Sequence, residues 1–191
     1  TKDGVIFIEK YGFELPYQIT KFKNKEELKY VFDGFAVIAD KIRKEVFSAV
    51  ETAEKSGVDV KMLTGDNIVT AKSVAKQLKI ITSESQAVTG ADIERLSDKE
   101  LKEAIKDIKV IARSTPSVKL RVVKALKELG EVVAVTGDGI NDAPAIRHAD
   151  VGIAMGVSGS EITKEAAEAV LLNDSFEGVI KAIEFGRTVH K

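Results

Sequence analysis

The sequence contains no cysteine. That absence excludes disulfides and thiolate-held metals, and it fits a reducing compartment. Only two histidines occur, His148 and His190, and their wide separation argues against a histidine-based zinc centre. No apolar run approaches the ~20 residues that a membrane-crossing helix needs, and no secretory pattern opens the chain, so the chain as given is expected to be soluble. An excess of one charge is also lacking. Twenty-nine Lys and Arg stand against 30 Asp and Glu, for a formal net charge of −1, which gives no argument for nucleic acid or an anionic membrane surface as partner. What is present is globular in character: 191 residues, 44% apolar and 31% charged. That is enough to bury a core without staples, and a length expected of one domain with a small appendage.

Short β-branched runs alternate with amphipathic patterns. Strands are expected at 5–8, 31–39, 58–63, 109–112, 132–136, 151–154 and 169–172, and helices at 42–56, 67–78, 116–129, 160–167 and 176–190. Gly57 and Gly130 stand where helices should end. Ser97 and Glu100 form a capping-box pair that opens a further helix. The run 132–136 is almost entirely apolar, which predicts burial on both faces. This order of strands and helices gives an α/β fold, a parallel sheet flanked by helices, with ligands beyond the carboxyl ends of the strands. Residues 1–30, broken by Gly12 and Pro16, are the least regular and form a separate irregular segment beside a main domain at 31–191.

Polar clusters fall just after two strands. Thr64-Gly65-Asp66-Asn67 follows 58–63, and Thr136-Gly137-Asp138-Gly139-Ile140-Asn141-Asp142 follows 132–135. Gly65 and Gly137 allow a ligand close to the backbone, and each turn feeds a helix N-terminus that favours an anion. Asp138, Asn141 and Asp142 place three oxygen-bearing side chains within five residues, a set suited to Mg²⁺. Asp138 is the first candidate ligand. Asp142 is either a second ligand, directly or through water, or the group that orients the loop. The plainer account is a capping turn, favoured for Asp142 alone but not for the whole cluster. Lys119 lies early in a helix, where the macrodipole disfavours a cation unless an anion is near. Arg113 carries the same ambiguity.

Three strings carry a resemblance: MLTGDNIVTAKSVAKQLKI (62–80), ARSTPSVKLRVVKAL (112–126) and VAVTGDGINDAPAIRHADVGIAMGVSGSEITKEAAEAVLLND (133–174). Together they resemble the P-type cation-transporting ATPases, the calcium-pump-like subgroup, within the haloacid dehalogenase superfamily. The resemblance implies a three-layer Rossmann-like fold of the haloacid dehalogenase type. It implies transfer of the γ-phosphoryl of ATP to an aspartate, followed by hydrolysis of the acyl phosphate, with Mg²⁺ as cofactor. It assigns Asp138 to Mg²⁺, with Asp142 shaping the loop and supporting the metal. Thr64, Lys119 and Asn141 go to the phosphoryl group, and Asp66 and Arg113 lie near the nucleotide. Gly65 and Gly137 supply close backbone approach. Such a domain faces the cytoplasm in a membrane-embedded parent. The Lys-Glu-Ala-Ala run at 164–167 points to calcium ahead of sodium, protons or magnesium as the transported ion.

The chain departs from the family pattern in three places. The Asp-Lys-Thr-Gly-Thr string that carries the nucleophile is absent, as is the Lys-Gly-Ala signature of the nucleotide-binding domain. Asp40-Lys41-Ile42-Arg43 stands where the family has Asp-Pro-Pro-Arg, so the hinge there is expected to be less rigid. The last eight residues resemble a stalk leading to a membrane helix. The expectation is a fragment holding the Mg²⁺- and phosphoryl-binding half of the site. Its missing partners are the nucleophile strand, the rest of the nucleotide-binding domain (of which 1–30 is a remnant) and the transmembrane domain. The empty strand position should leave unpaired edges that favour self-association or are filled by 5–8 or a partner chain. A soluble phosphatase of the same superfamily and a non-catalytic interaction module are the alternatives.

Overall fold

The computed structural model describes residues 41–189. The strands expected at 5–8 and 31–39, the irregular segment 1–30, Asp40 of the hinge string and His190 lie outside the described residues.

Helix α1 (Lys44–Lys55) buries Ala49, Val50 and Ala53, the side its apolar spacing predicts. It stops before Gly57, whose φ of +71° is a conformation that glycine takes without strain. Strand β1 (Met62–Leu63) leads to α2 (Ile68–Gln77), capped by the Asn67 side chain accepting from the Thr70 N–H. Then come β2 (Ala87–Thr89), α3 (Gly90–Arg95) and α4 (Asp98–Ala104). Both helices open with capping boxes, Thr89–Asp92 and Ser97–Glu100. Strand β3 (Val110–Ala112) precedes α5 (Pro116–Glu128), which starts on Thr115 with Pro116 in its first turn. The rest runs β4 (Ala134–Gly137), a 3₁₀ turn (Ile140–Asp142), α6 (Ala143–His148), β5 (Val151–Met155), α7 (Glu161–Ala166), β6 (Ala169–Leu171) and α8 (Phe176–Val189).

The strands form two parallel three-stranded sheets, ordered β1-β3-β2 and β4-β5-β6. Every pairing is parallel, so each crossover carries helices over a sheet face. In the first sheet the central strand is fully buried. Val110 and Ala112 join one core with Val50, Ala71 and Ala75 from α1 and α2. Ile111, of opposite pleat, joins another with Ile93, Leu101, Val118 and Val122 from α3, α4 and α5. This is a three-layer α/β arrangement. The second sheet packs on α6, whose Ile146 is fully buried, and Ala49, Ala53 and Ile180 tie α1 to α8.

Three expectations change. Where a strand was expected over 58–63, only Met62–Leu63 is paired, because Val58 N–H still bonds back to Ala53 of the preceding helix. The segment β2–α3 was not expected at all: three strand residues are too few to show a period. The run 132–136 is not buried on both faces. Val132 is 83% exposed, Ala134 is exposed and Val135 to Gly137 are half-buried. The physical reason is visible in the pairing: among the described residues β4 bonds only to β5, and β1 only to β3. Among these residues each has one unpaired edge, as expected of a sheet without the nucleophile strand.

Candidate active site

The turn after β1 is held from below. Thr64 N–H donates to the Ile111 carbonyl at 3.0 Å, Ser114 N–H to the Thr64 carbonyl at 2.9 Å, and Arg113 N–H to the Asp66 carbonyl at 2.9 Å. Arg113 reaches that position with a φ of +52°. The Thr64 hydroxyl accepts from Asp66 N–H at 3.1 Å, which leaves its own proton free to donate to a ligand.

The turn after β4 is organised by Asp142, one of two buried polar residues in the described core. Its Oδ1 accepts from Lys119 Nζ at 2.5 Å and its Oδ2 from Gly139 N–H at 3.3 Å. The side chains of Lys119 and Asp142 are only 15% and 13% exposed. Asp142 is therefore the anion that the position of Lys119 in α5 called for. Asp142 also covers Gly137: a Cβ there would stand 2.8 Å from Oδ2 and closer still to Cβ and Cγ of Asp142. A third segment completes the wall. Ser160 N–H donates to the Asp138 carbonyl at 2.9 Å, and the fully buried Thr163 donates its hydroxyl to the Gly139 carbonyl at 3.0 Å.

These turns face one cleft of about 570 Å³. Of the residues expected at a site, the structure brings Thr64, Gly65, Lys119, Gly137, Asp138 and Asp142 together along it. Asp66, Arg113 and Asn141 are exposed and lie outside its lining. Sequence reasoning missed Arg43, Thr136, Ser158 and Asp174, which also line it. Asp174 follows β6 as Asp138 follows β4, so the rule that found one would have found the other. Its carboxyl is held below its ordinary value chiefly by the N–H of Val157, which burial opposes, with Ser158 adding to the lowering.

Among the described residues no hydrogen bond reaches the Asp138 carboxylate, which is exposed at the cleft, whereas both Asp142 oxygens are engaged. No three acidic or histidine side chains converge among the described residues. One free carboxylate is a poor cage alone, but it fits an ion that takes one or two carboxylates together with phosphate and water.

The sequence profile of the haloacid dehalogenase-like hydrolases matches residues 7–150. The chain belongs to this family. Within it, this haloacid dehalogenase-like chain is 47% identical over 159 residues to calcium-transporting ATPase 2 of Schizosaccharomyces pombe, covering 83% of the chain and 12% of that protein. It is 40% identical over 158 residues to a calcium-transporting ATPase of Bacillus subtilis, again 83% of the chain and 18% of the relative. It thus spans less than a fifth of the length of these relatives. Among solved structures, a zinc-transporting PIB-type ATPase in the E2.Pi state superposes with a TM-score of 0.60 at 30% identity, over 79% of this chain and 20% of that one. The catalytic domain of the CPx-ATPase CopB-B gives 0.58 at 26% identity, over 76% and 46%. This haloacid dehalogenase-like domain is therefore P-type ATPase-like in sequence and fold. No described helix is long and apolar enough to cross a membrane.

Proposed function

We propose that this chain forms the Mg²⁺- and phosphoryl-holding part of the ATP-hydrolysing domain of a cation pump, with calcium as the transported ion. The observation that carries the proposal is the single cleft joining Thr64, Lys119 and Asp138 from three elements. The names of the relatives as calcium-transporting ATPases support the pump and the ion. Asp138 would hold Mg²⁺, which when bound neutralises charge on phosphate oxygens. Thr64 donates its free hydroxyl proton to a phosphoryl oxygen, and the neighbouring Gly65 leaves space for close approach of the backbone. Lys119 adds positive charge from α5 while Asp142 fixes its position and the shape of the turn. Asn141 would also face the phosphoryl group, and Asp66 and Arg113, exposed outside the cleft lining, would lie near the nucleotide. Phosphoryl transfer depends chiefly on such positioning and charge neutralisation.

The parent would be a membrane protein with this domain on its cytoplasmic side, and its remaining domains would supply the nucleophile. The chain as given holds no Asp-Lys-Thr-Gly-Thr string, so with labelled ATP and Mg²⁺ it should form no hydroxylamine-labile acyl phosphate. Turnover of a simple phosphate ester that Asp138→Asn abolishes would instead favour a free-standing phosphatase. Sequencing the gene on both sides tests the pump: an upstream nucleophile string and flanking membrane helices are expected.

A further inference from the structure

Asp174 and Arg43 come from distant parts of the chain, and neither belongs to the turns that hold the metal or the phosphoryl group. Both nevertheless line the cleft. Asp174 sits between β6 and α8 in a left-handed conformation, φ +50°. Its two carboxylate oxygens are spent on consecutive amides of the loop after β5: Val157 N–H at 3.0 Å and Ser158 N–H at 2.7 Å. The preceding amide, Gly156 N–H, bonds to the Leu171 carbonyl at 2.9 Å. Three successive amides of one loop are thus held by the last residue of β6 and the turn after it. Two residues further on, Ser160 N–H holds the Asp138 carbonyl. From the other side, Arg43 Nη2 donates to the Asp174 carbonyl at 3.0 Å across 131 residues of sequence.

We infer that Asp174, set by Arg43, is a positioning residue for Asp138: the Arg43–Asp174 clasp fixes the 156–160 loop, and that loop fixes the backbone of the metal-binding turn. This rests on the reading of Asp138 as the Mg²⁺ ligand. Neither residue belongs to the turn that carries Asp138. A carboxylate bridging two adjacent amides places a loop more firmly than a neutral side chain could, and partners of this kind orient a ligand without binding the ion. The order of action is also defined. Arg43 grips the backbone carbonyl of Asp174, which any residue there keeps, and acts on the loop by setting the Asp174 carboxylate, so it should add nothing once that carboxylate is gone.

The test is a mutant cycle on the full chain, reading Mg²⁺ affinity in inorganic phosphate by calorimetry and amide exchange at Ser160 by NMR. Asp174→Ala is expected to weaken Mg²⁺ binding about tenfold. Arg43→Ala should weaken it less and add nothing to Asp174→Ala, the non-additivity of residues in one network. Arg43→Lys, which keeps one donor, should restore part of the loss. Exchange at Ser160 should quicken in both single variants. Multiplying losses, or unchanged Mg²⁺ affinity in variants where Asp138→Asn still lowers it, would overturn the inference. If Asp138→Asn itself has no effect, the metal assignment fails, and exchange at Ser160 alone decides the clasp: faster exchange in both variants upholds it, unchanged exchange rejects it.

Discussion

At the scale of single residues, the chemistry divides between two aspartates four apart. The Asp138 carboxylate is exposed and accepts no hydrogen bond among the described residues, whereas Asp142 is buried against Lys119 and Gly139. Removing one member of a buried ion pair strands the other charge. Lys119→Met should therefore destabilise the chain by about 3 kcal/mol, read as a shift in urea midpoint at constant slope. The double variant Lys119→Met/Asp142→Leu should recover much of that loss. Acid acts on a different carboxylate. Asp174 has its pKa lowered below its ordinary 3.8 by the Val157 N–H first, with Ser158 adding. Its contribution to stability is therefore complete above 3.8 and is lost as pH falls through the lowered folded value. Asp174→Asn should flatten the stability profile in that acidic window and leave its shape at neutral pH unchanged, which a denaturation series across pH would show. The site was legible in the sequence where a polar cluster follows an apolar strand: Thr64, Gly65, Gly137, Asp138 and Asp142 all reach the cleft. Arg43 was not legible as a cleft residue, because its role depends on Asp174 lying beside it, 131 residues away.

At the scale of elements, two features carry the architecture. Strand β3 is the most buried, with Val110, Ile111 and Ala112 at 0–1% exposure. Ile111→Ala opens a cavity among Ile93, Leu101, Val118 and Val122, and should cost about 3 kcal/mol in chemical denaturation. The end of β4 is tight for a different reason. Gly137→Ala would push a methyl group into Asp142, and overpacking of this kind costs about 2 kcal/mol. Because the displaced group is the partner of Lys119, the same variant should also weaken phosphate binding, measurable by calorimetry. Helices of several turns, α1, α2 and α5, fell where their spacing predicted. Strand β2 and helix α3 did not appear in the pattern, since three strand residues and a six-residue helix define no period. Their location is fixed by tertiary pairing of β2 with β3.

At the scale of the whole molecule, the described residues bring two sheets to one site. Strands β1 and β4 each have one unpaired edge among them, and the turns at the ends of both strands open on the same cleft. The apolar run 132–136 suggested a strand buried on both sides, while the structure leaves Val132 and Ala134 exposed. Among the described residues no strand pairs with that edge of β4. Exposed parallel edges invite pairing, so the chain should self-associate with rising concentration in light scattering coupled to size exclusion. A strictly monomeric chain at all concentrations would count against that expectation. The central claim is that Asp138 and the Thr64–Lys119 wall form one site for Mg²⁺ and phosphoryl. Its most direct test is calorimetric linkage: Mg²⁺ should bind more tightly in the presence of inorganic phosphate, phosphate more tightly in Mg²⁺ by the same factor, and both effects should vanish in Asp138→Asn. Mg²⁺ binding that ignores phosphate, or that survives Asp138→Asn unchanged, would contradict the account.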